Sequence, residues 1–266
     1  MNEMLDTFYF WFFFALSILL GASVGSFLNV LIYRVPREES LVKDASHCTV
    51  CGHKIRWYDN IPILSYIFLR GKCRDCKSKI SPRYVIVETL NTLIWVGFAL
   101  LSKRTGYVNA VLNMLFSSVC IVVAFTDYEH GFIPDRYNIA LLVFGALATS
   151  FDKYVSWKSH LIGFGFALIF FLLLYGFARL VFKREGLGLG DVKFAAVSGL
   201  ALGIKASFFG ILIAGISAAI ILPILVVKLK KDKRTEFPFG PFLAVGYIIA
   251  AFVGELVVTA YLNLFL

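Results

Sequence analysis

Charge is what this sequence has least of. Asp, Glu, Lys and Arg make up 16% of the 266 residues against 59% apolar residues, and the mean hydropathy is +0.79. A soluble domain is about half apolar and about a quarter charged, so the deficit excludes an ordinary globular domain in water. Low-complexity segments and clear internal repeats are also lacking, which sets aside a disordered tail or a repeat array. The first apolar run, residues 8–33, has no basic stretch before it, since Glu3 and Asp6 precede it. It is too long, and too polar at its end, for a signal peptide, and is expected to be a retained span.

What is present is apolar sequence in runs of about 20 residues, enough to cross a bilayer core. The expected fold is an all-α polytopic membrane protein with about eight spans, at 8–33, 84–102, 108–126, 137–150, 160–182, 191–204, 206–227 and 240–265. The fourth and sixth are short for a bilayer. Basic residues set the orientation. One side receives 20 Lys and Arg, from 34–83, 127–136, 183–193 and 228–234, and the other receives 5. The positive-inside rule puts the 34–83 loop in the cytoplasm and both termini outside. The KLKKDKR stretch at 228–234 then reads as a juxtamembrane contact with anionic lipid rather than a nucleic-acid site. Two domains are expected: residues 1–83, the first span and its loop, and residues 84–266, a transmembrane core.

The loop holds four of the five cysteines, as Cys48-Thr-Val-Cys51 and Cys73-Arg-Asp-Cys76. Two CxxC pairs at this separation close a tetrahedral thiolate site, and a reducing compartment disfavours two disulfides. The expectation is a structural Zn2+ on Cys48, Cys51, Cys73 and Cys76. His47 and His53 flank the first pair but are not needed by an ion with four sulfurs. A closed site has no open position, so the metal folds the loop rather than catalysing. Cys120, within a span, reads as a small buried hydrophobe.

Acidic residues beside spans are costly and therefore informative. Asp127 closes the third span in VAFTDYEHGFIPD, and Asp191 opens the sixth in GLGLGD. The orientation derived from Lys and Arg alone brings both to the cytoplasmic boundary. Two facing carboxylates do not both ionise easily, so one can act as base while the other keeps a proton. Gly188 and Gly190 give the backbone freedom and allow a second chain, such as a peptide substrate, to approach. Asp191 reads equally well as a helix N-cap. Asp135, after Pro134, reads as an N-cap and Glu129 as a solvated turn residue. Glu88, just inside the second span, suits a polar role, alone or paired with Arg83 or Arg34. Gly21, Gly25 and Ser26 form a small-residue face suited to helix packing.

At these residues the sequence resembles the type IV prepilin peptidases, intramembrane aspartyl proteases of the GxGD class. The signature stands as Gly188-Leu-Gly190-Asp191, and the partner motif as Asp127 with Pro134-Asp135 eight residues on. GSFLNVLIYRVP (25–36), NIPILSYIFLRGKCRDC (60–76), SPRYVIVETLN (81–91) and FPFGPFLAVG (237–246) resemble further family landmarks in order. The resemblance implies that Asp127 and Asp191 are the catalytic pair. It implies cleavage of the basic leader of prepilins or pseudopilins after a glycine, at the cytoplasmic face of a bacterial inner membrane. It also implies methylation of the new amino terminus by S-adenosylmethionine, an activity associated with the large loop. No glycine-rich turn after a strand marks a site for that cofactor; Glu88, with Asn29 and Arg34, is the only candidate.

Three other readings share parts of the pattern. A GxGD protease acting on other membrane substrates without methyl transfer explains the aspartates but not the cysteine loop. A non-enzymatic scaffold explains the cysteine loop and makes the aspartates caps. A transporter would carry its carboxylates nearer the midplane.

Overall fold

A backbone in hydrocarbon must satisfy its own polar groups, so long apolar runs fold as helices. The computed structural model describes residues 2–41, 46–182, 187–228 and 237–265. Lys183, Arg184 and Gly186, and the 228–234 basic stretch past Lys228, lie outside the described residues. The elements are α1 (Asn2–Arg34), the short α2 (Leu64–Phe68), α3 (Arg83–Thr105), α4 (Tyr107–His130), α5 (Asp135–Phe151), α6 (Trp157–Phe182), α7 (Leu189–Lys228) and α8 (Gly240–Phe265). There is no strand among the described residues. Six helices, α1, α3, α4, α6, α7 and α8, are long and apolar enough to cross a membrane. This is a multi-pass all-α membrane protein.

The expected count of eight is accounted for by two elements. The fourth expected span is α5, whose 17 residues make a helix of about 25 Å, short of a roughly 30 Å core. The sixth and seventh are the two arms of α7, which breaks at Gly203 (φ 78°, ψ 173°). The chain folds back there: a Cβ on Gly199 would lie 3.1 Å from Ser207 Oγ, whereas a straight helix separates such residues by about 12 Å.

The break leaves orphan backbone groups, and α6 supplies their partners. His160 Nδ1–H donates to the Leu200 carbonyl at 2.9 Å, and the Ile204 N–H donates to Ser159 Oγ at 3.3 Å. Gly163 permits this contact, because a side chain there would collide with the backbone at Gly199 and Gly203.

The chain divides into two compact units, Met1–Ala110 and Val111–Leu266. In the first, α1 packs on α3 through the small-residue face. A Cβ on Gly25 would lie 2.8 Å from Glu88 Cα, and one on Gly21 would lie 3.2 Å from Thr92 Cα. Buried asparagines tie the pair: Asn91 Nδ2 donates to the Gly21 carbonyl at 2.7 Å and Asn29 Nδ2 to the Tyr84 carbonyl at 3.1 Å. Polar cross-links of this kind suit helices that lack a hydrophobic drive to associate in lipid.

In the second unit, α7 is gathered around α8. Tyr247 of α8 is fully buried. Its hydroxyl donates to the Ala195 carbonyl at 3.1 Å, and its ring meets Phe194 edge-on at 5.8 Å. Lys205 Nζ bonds Glu255 Oε1 and Thr259 Oγ1, each at 3.0 Å, towards the far end of α8. Gly240 opens the other end of that helix.

Candidate functional site

Asp127 stands in the last turn of α4. Gly131 (φ 74°) ends that helix, its N–H donating to the Asp127 carbonyl at 2.8 Å; glycine is favoured at such left-handed ends. The chain then turns through Ile133 and Pro134 into α5. Pro134 holds the N-cap position and Asp135 is the first helical residue. The expectation that Asp135 caps α5 is therefore corrected: proline occupies the cap. Asp135 instead pairs with Lys193 Nζ at 2.8 and 3.0 Å on an exposed surface.

Asp191 is the third residue of α7, which starts at Leu189. Its Oδ2 accepts the Gly188 N–H at 3.2 Å, the return arm of a capping box. Its Oδ1 is buried without a hydrogen-bond partner among the described residues. The expectation that Asp191 is the N-cap is thus corrected: Gly188 holds that position, and Asp191, in the first turn, bonds back to it through one oxygen. Asp127 is held in a parallel way: its Oδ2 accepts the Gly240 N–H at 2.8 Å, at the start of α8. A helix start presents free N–H groups and positive dipole potential to each carboxylate.

Asp191 is 8% exposed and Asp127 5%. The surrounding contacts bring the two motifs together. Gly190 lies against the turn after Asp127, where a Cβ would sit 3.1 Å from that of Ile133. The segment that approaches Gly190 is thus the chain's own α4–α5 turn. Gly188, by contrast, is exposed, and a side chain there would meet only Asp191 Oδ2, at 3.3 Å, and the Gly190 nitrogen. Lys193 reaches Asp135 rather than Asp191. A pair of buried carboxylates, each with one oxygen docked on a backbone N–H, is suited to moving protons between water and a polarised carbonyl.

The first unit carries the cysteines. Both pairs fold as the same turn. The Cys48 N–H donates to the His53 carbonyl at 2.9 Å and the Cys73 N–H to the Ser78 carbonyl at 2.8 Å. The residue after each second cysteine, Gly52 or Lys77, has φ of 70° or 58°. All four Sγ atoms lie within 4.8 Å of one another, and Cys48 Sγ is 3.8 Å from Cys76 Sγ. A tetrahedron with metal–sulfur bonds of about 2.3 Å has edges of about 3.8 Å. The four are free thiols, and the backbone N–H groups of Cys51 and Val50 push the Cys48 thiol down to about 6. This cluster can hold a metal ion. His47 and His53 are outside it; His53 Nε2 lies 4.0 Å from Asp75 Oδ2. From within the second turn, Arg74 makes a two-pronged bond to Asp59 of the intervening segment, with contacts of 2.6 to 3.1 Å, and holds the Asp59 carboxyl below the usual range.

Two family models match the chain: the Bacterial Peptidase A24 N-terminal domain over residues 19–102 and the Type IV leader peptidase family over residues 114–223. Relatives named prepilin leader peptidase/N-methyltransferase align along nearly all of it. The Dichelobacter nodosus protein is 34% identical over 90% of this chain and 92% of its own. The Aeromonas hydrophila protein is 32% identical over 96% of both, and that of Pseudomonas aeruginosa 31% over 93% and 92%. The chain belongs to the prepilin leader peptidase/N-methyltransferase family. No solved structure matches it significantly.

The first matched stretch covers the four loop cysteines, Gly21, Gly25 and Glu88, and the second covers Asp127 and Asp191. Glu88 accepts the Ile63 N–H at 2.7 Å, so it ties the loop to α3 rather than pairing with Arg83 or Arg34. Sequence reasoning missed Gly240. The available signal was the Gly-Pro step before the last apolar run, a helix-start mark, but its partner is 113 residues away.

Proposed function

We propose that this protein cleaves the leader peptides of type IV prepilins or pseudopilins and methylates the amino terminus so exposed, with Asp127 and Asp191 as the hydrolytic pair. The observation that carries the reading is the pair itself. Two buried carboxylates stand on neighbouring segments of the second unit, and each has one oxygen fixed by a helix-start N–H. The ionised aspartate takes a proton from water, and the hydroxide attacks the scissile carbonyl carbon. The protonated aspartate hydrogen-bonds the carbonyl oxygen as it gains charge. Collapse of the tetrahedral intermediate breaks the C–N bond, and the proton taken from water passes to the leaving amine.

The 20-to-5 basic asymmetry supports a cytoplasmic loop and a pair at the cytoplasmic edge of a bacterial inner membrane. There a leader keeps its basic residues in water while its apolar helix stays in lipid. A reporter fused after Leu266 should then behave as external, and a cytoplasmic signal would overturn this orientation. Gly188 is proposed to leave the site open to the substrate backbone.

Zn2+ is the ion proposed for Cys48, Cys51, Cys73 and Cys76, holding the loop closed. S-adenosylmethionine would supply the methyl group when bound. Asn29 Oδ1, buried without a partner, fits a donor on such a ligand, and Glu88 lies in the same polar cluster. The first unit is proposed to support methyl transfer and the second peptide cleavage.

The test is to incubate the purified protein with a prepilin and S-adenosylmethionine and weigh the product. A shortened chain bearing one added methyl is expected. An intact prepilin overturns the reading. A shortened, unmethylated chain reduces the protein to a GxGD peptidase.

A further inference from the structure

Residues 57–68 of the loop expose more apolar surface than contact with water accounts for. Trp57 is 81% exposed, Phe68 80%, Ile67 61% and Leu64 52%. A contiguous patch of this kind marks an interaction surface.

One hydrogen bond sets the depth of this segment, the Ile63 N–H to Glu88 Oε2 at 2.7 Å. Glu88 is five residues past the start of α3, about 7–8 Å along its axis. It faces Gly25 of α1, and α1 runs nine residues beyond that crossing to Arg34, a further stretch of about 13 Å. The exposed apolar side of α3 already begins at Ile86. So the start of α2 is tied at a depth inside the apolar run of α3. Ile63, which opens α2, has φ 63° and ψ −54°, a costly conformation for a β-branched residue. The bond to Glu88 holds it there. Arg70 and Lys72, just beyond α2, are exposed.

We propose that residues 57–68 are a membrane-interface segment. Trp57 and the Leu64, Ile67 and Phe68 side of α2 insert at the boundary of headgroups and acyl chains on the loop's side of the bilayer, while Arg70 and Lys72 reach lipid phosphates. The tie of Ile63 to Glu88, inside the apolar run of α3, selects this occupant. Aromatic rings and basic residues in this order are what such a boundary accommodates.

The experiment uses the full-length protein with Trp11, Trp95 and Trp157 changed to Phe, leaving Trp57 as the only tryptophan. In vesicles of phosphatidylcholine and phosphatidylglycerol, its emission should be quenched strongly by lipids brominated high on the acyl chain and weakly by lipids brominated near its end. A second reporter, Phe68→Trp with Trp57→Phe added, should give the same order. Metal content and prepilin cleavage equal to those of the parent protein establish that each variant has folded. Water-like emission from both reporters, unquenched at every bromine depth, overturns the proposal. If that emission then shifts to the blue on adding a prepilin, the surface is a peptide-docking face instead.

Discussion

The backbone N–H of Gly240 donates to Oδ2 of Asp127 at 2.8 Å, joining the start of α8 to the end of α4. Gly240 has no room for a side chain, since a Cβ would lie 2.6 Å from that same oxygen. Gly240→Ala must therefore displace the carboxylate. A displacement of about 1 Å can cost about a hundredfold in rate, so we expect a loss of that order in prepilin cleavage. The pH profile should also change, because the variant alters the setting of a titrating group and not the fold alone. Cleavage rates across pH, on protein whose thermal unfolding matches the parent, decide this; an unchanged rate and profile would remove Gly240 from the site.

Asp127→Asn and Asp191→Asn should each abolish cleavage while leaving the metal in place. Asp135→Asn should keep most activity, because its bond to Lys193 is an exposed ion pair of a kind worth at most about 1 kcal/mol. Cleavage by the wild-type protein should rise and fall with pH. One acid must be ionised and the other protonated, and the two apparent constants belong to the pair. Near-normal turnover by either Asp127→Asn or Asp191→Asn would sink the assignment.

Cys48→Ser with Cys51→Ser removes two of the four sulfurs. Bound metal, expected near one ion per chain, should be lost, and the loop should become open to proteases. Methylation should suffer more than cleavage, because the cysteines lie in the first unit and the aspartates in the second. Full metal occupancy in the double variant, read by elemental analysis, would refute the ligand set. An equal fall in both activities would show that the loop supports the peptidase as well.

Gly203→Ala places a side chain where φ is 78° and where its Cβ would lie 2.9 Å from Val155 Cγ1. The strain alone is about 1–3 kcal/mol. The variant should unfold in detergent at a lower temperature than the parent, with Gly215→Ala as the control, since a Cβ at Gly215 meets nothing within 4 Å. Equal unfolding temperatures would mean that the break does not need glycine.

Much of this was legible in the sequence because it is local. Apolar runs give helices, and the break at Gly203 falls beside the expected 204–206 boundary because Lys205 interrupts the apolar run there. The cysteine turns follow from four-residue spacings. Charge counts alone put Asp127 and Asp191 at the same membrane edge, and in the structure Gly190, next to Asp191, lies against the turn that follows Asp127. What was not legible depends on contacts between distant segments. Nothing around Asp127 announces Gly240, and nothing in Ser159-His160 announces the hairpin they complete. Asp135 looked like a cap because caps are short and polar, but the proline before it holds that position and Lys193 takes its charge. For Asp191 the sequence posed cap against catalyst, and the structure gives the cap position to Gly188, three residues earlier.

The break in α7 also constrains how the protein is made. Its first arm, residues 189–202, is about 21 Å long, too short to settle across a bilayer alone, and it ends in backbone groups that find their partners on α6. A nascent chain that released this arm by itself would carry unpaired carbonyls into hydrocarbon, at a cost of several kcal/mol each. The two arms and α6 therefore depend on one another in the bilayer: the hairpin has its backbone groups satisfied only with Ser159 and His160 beside it.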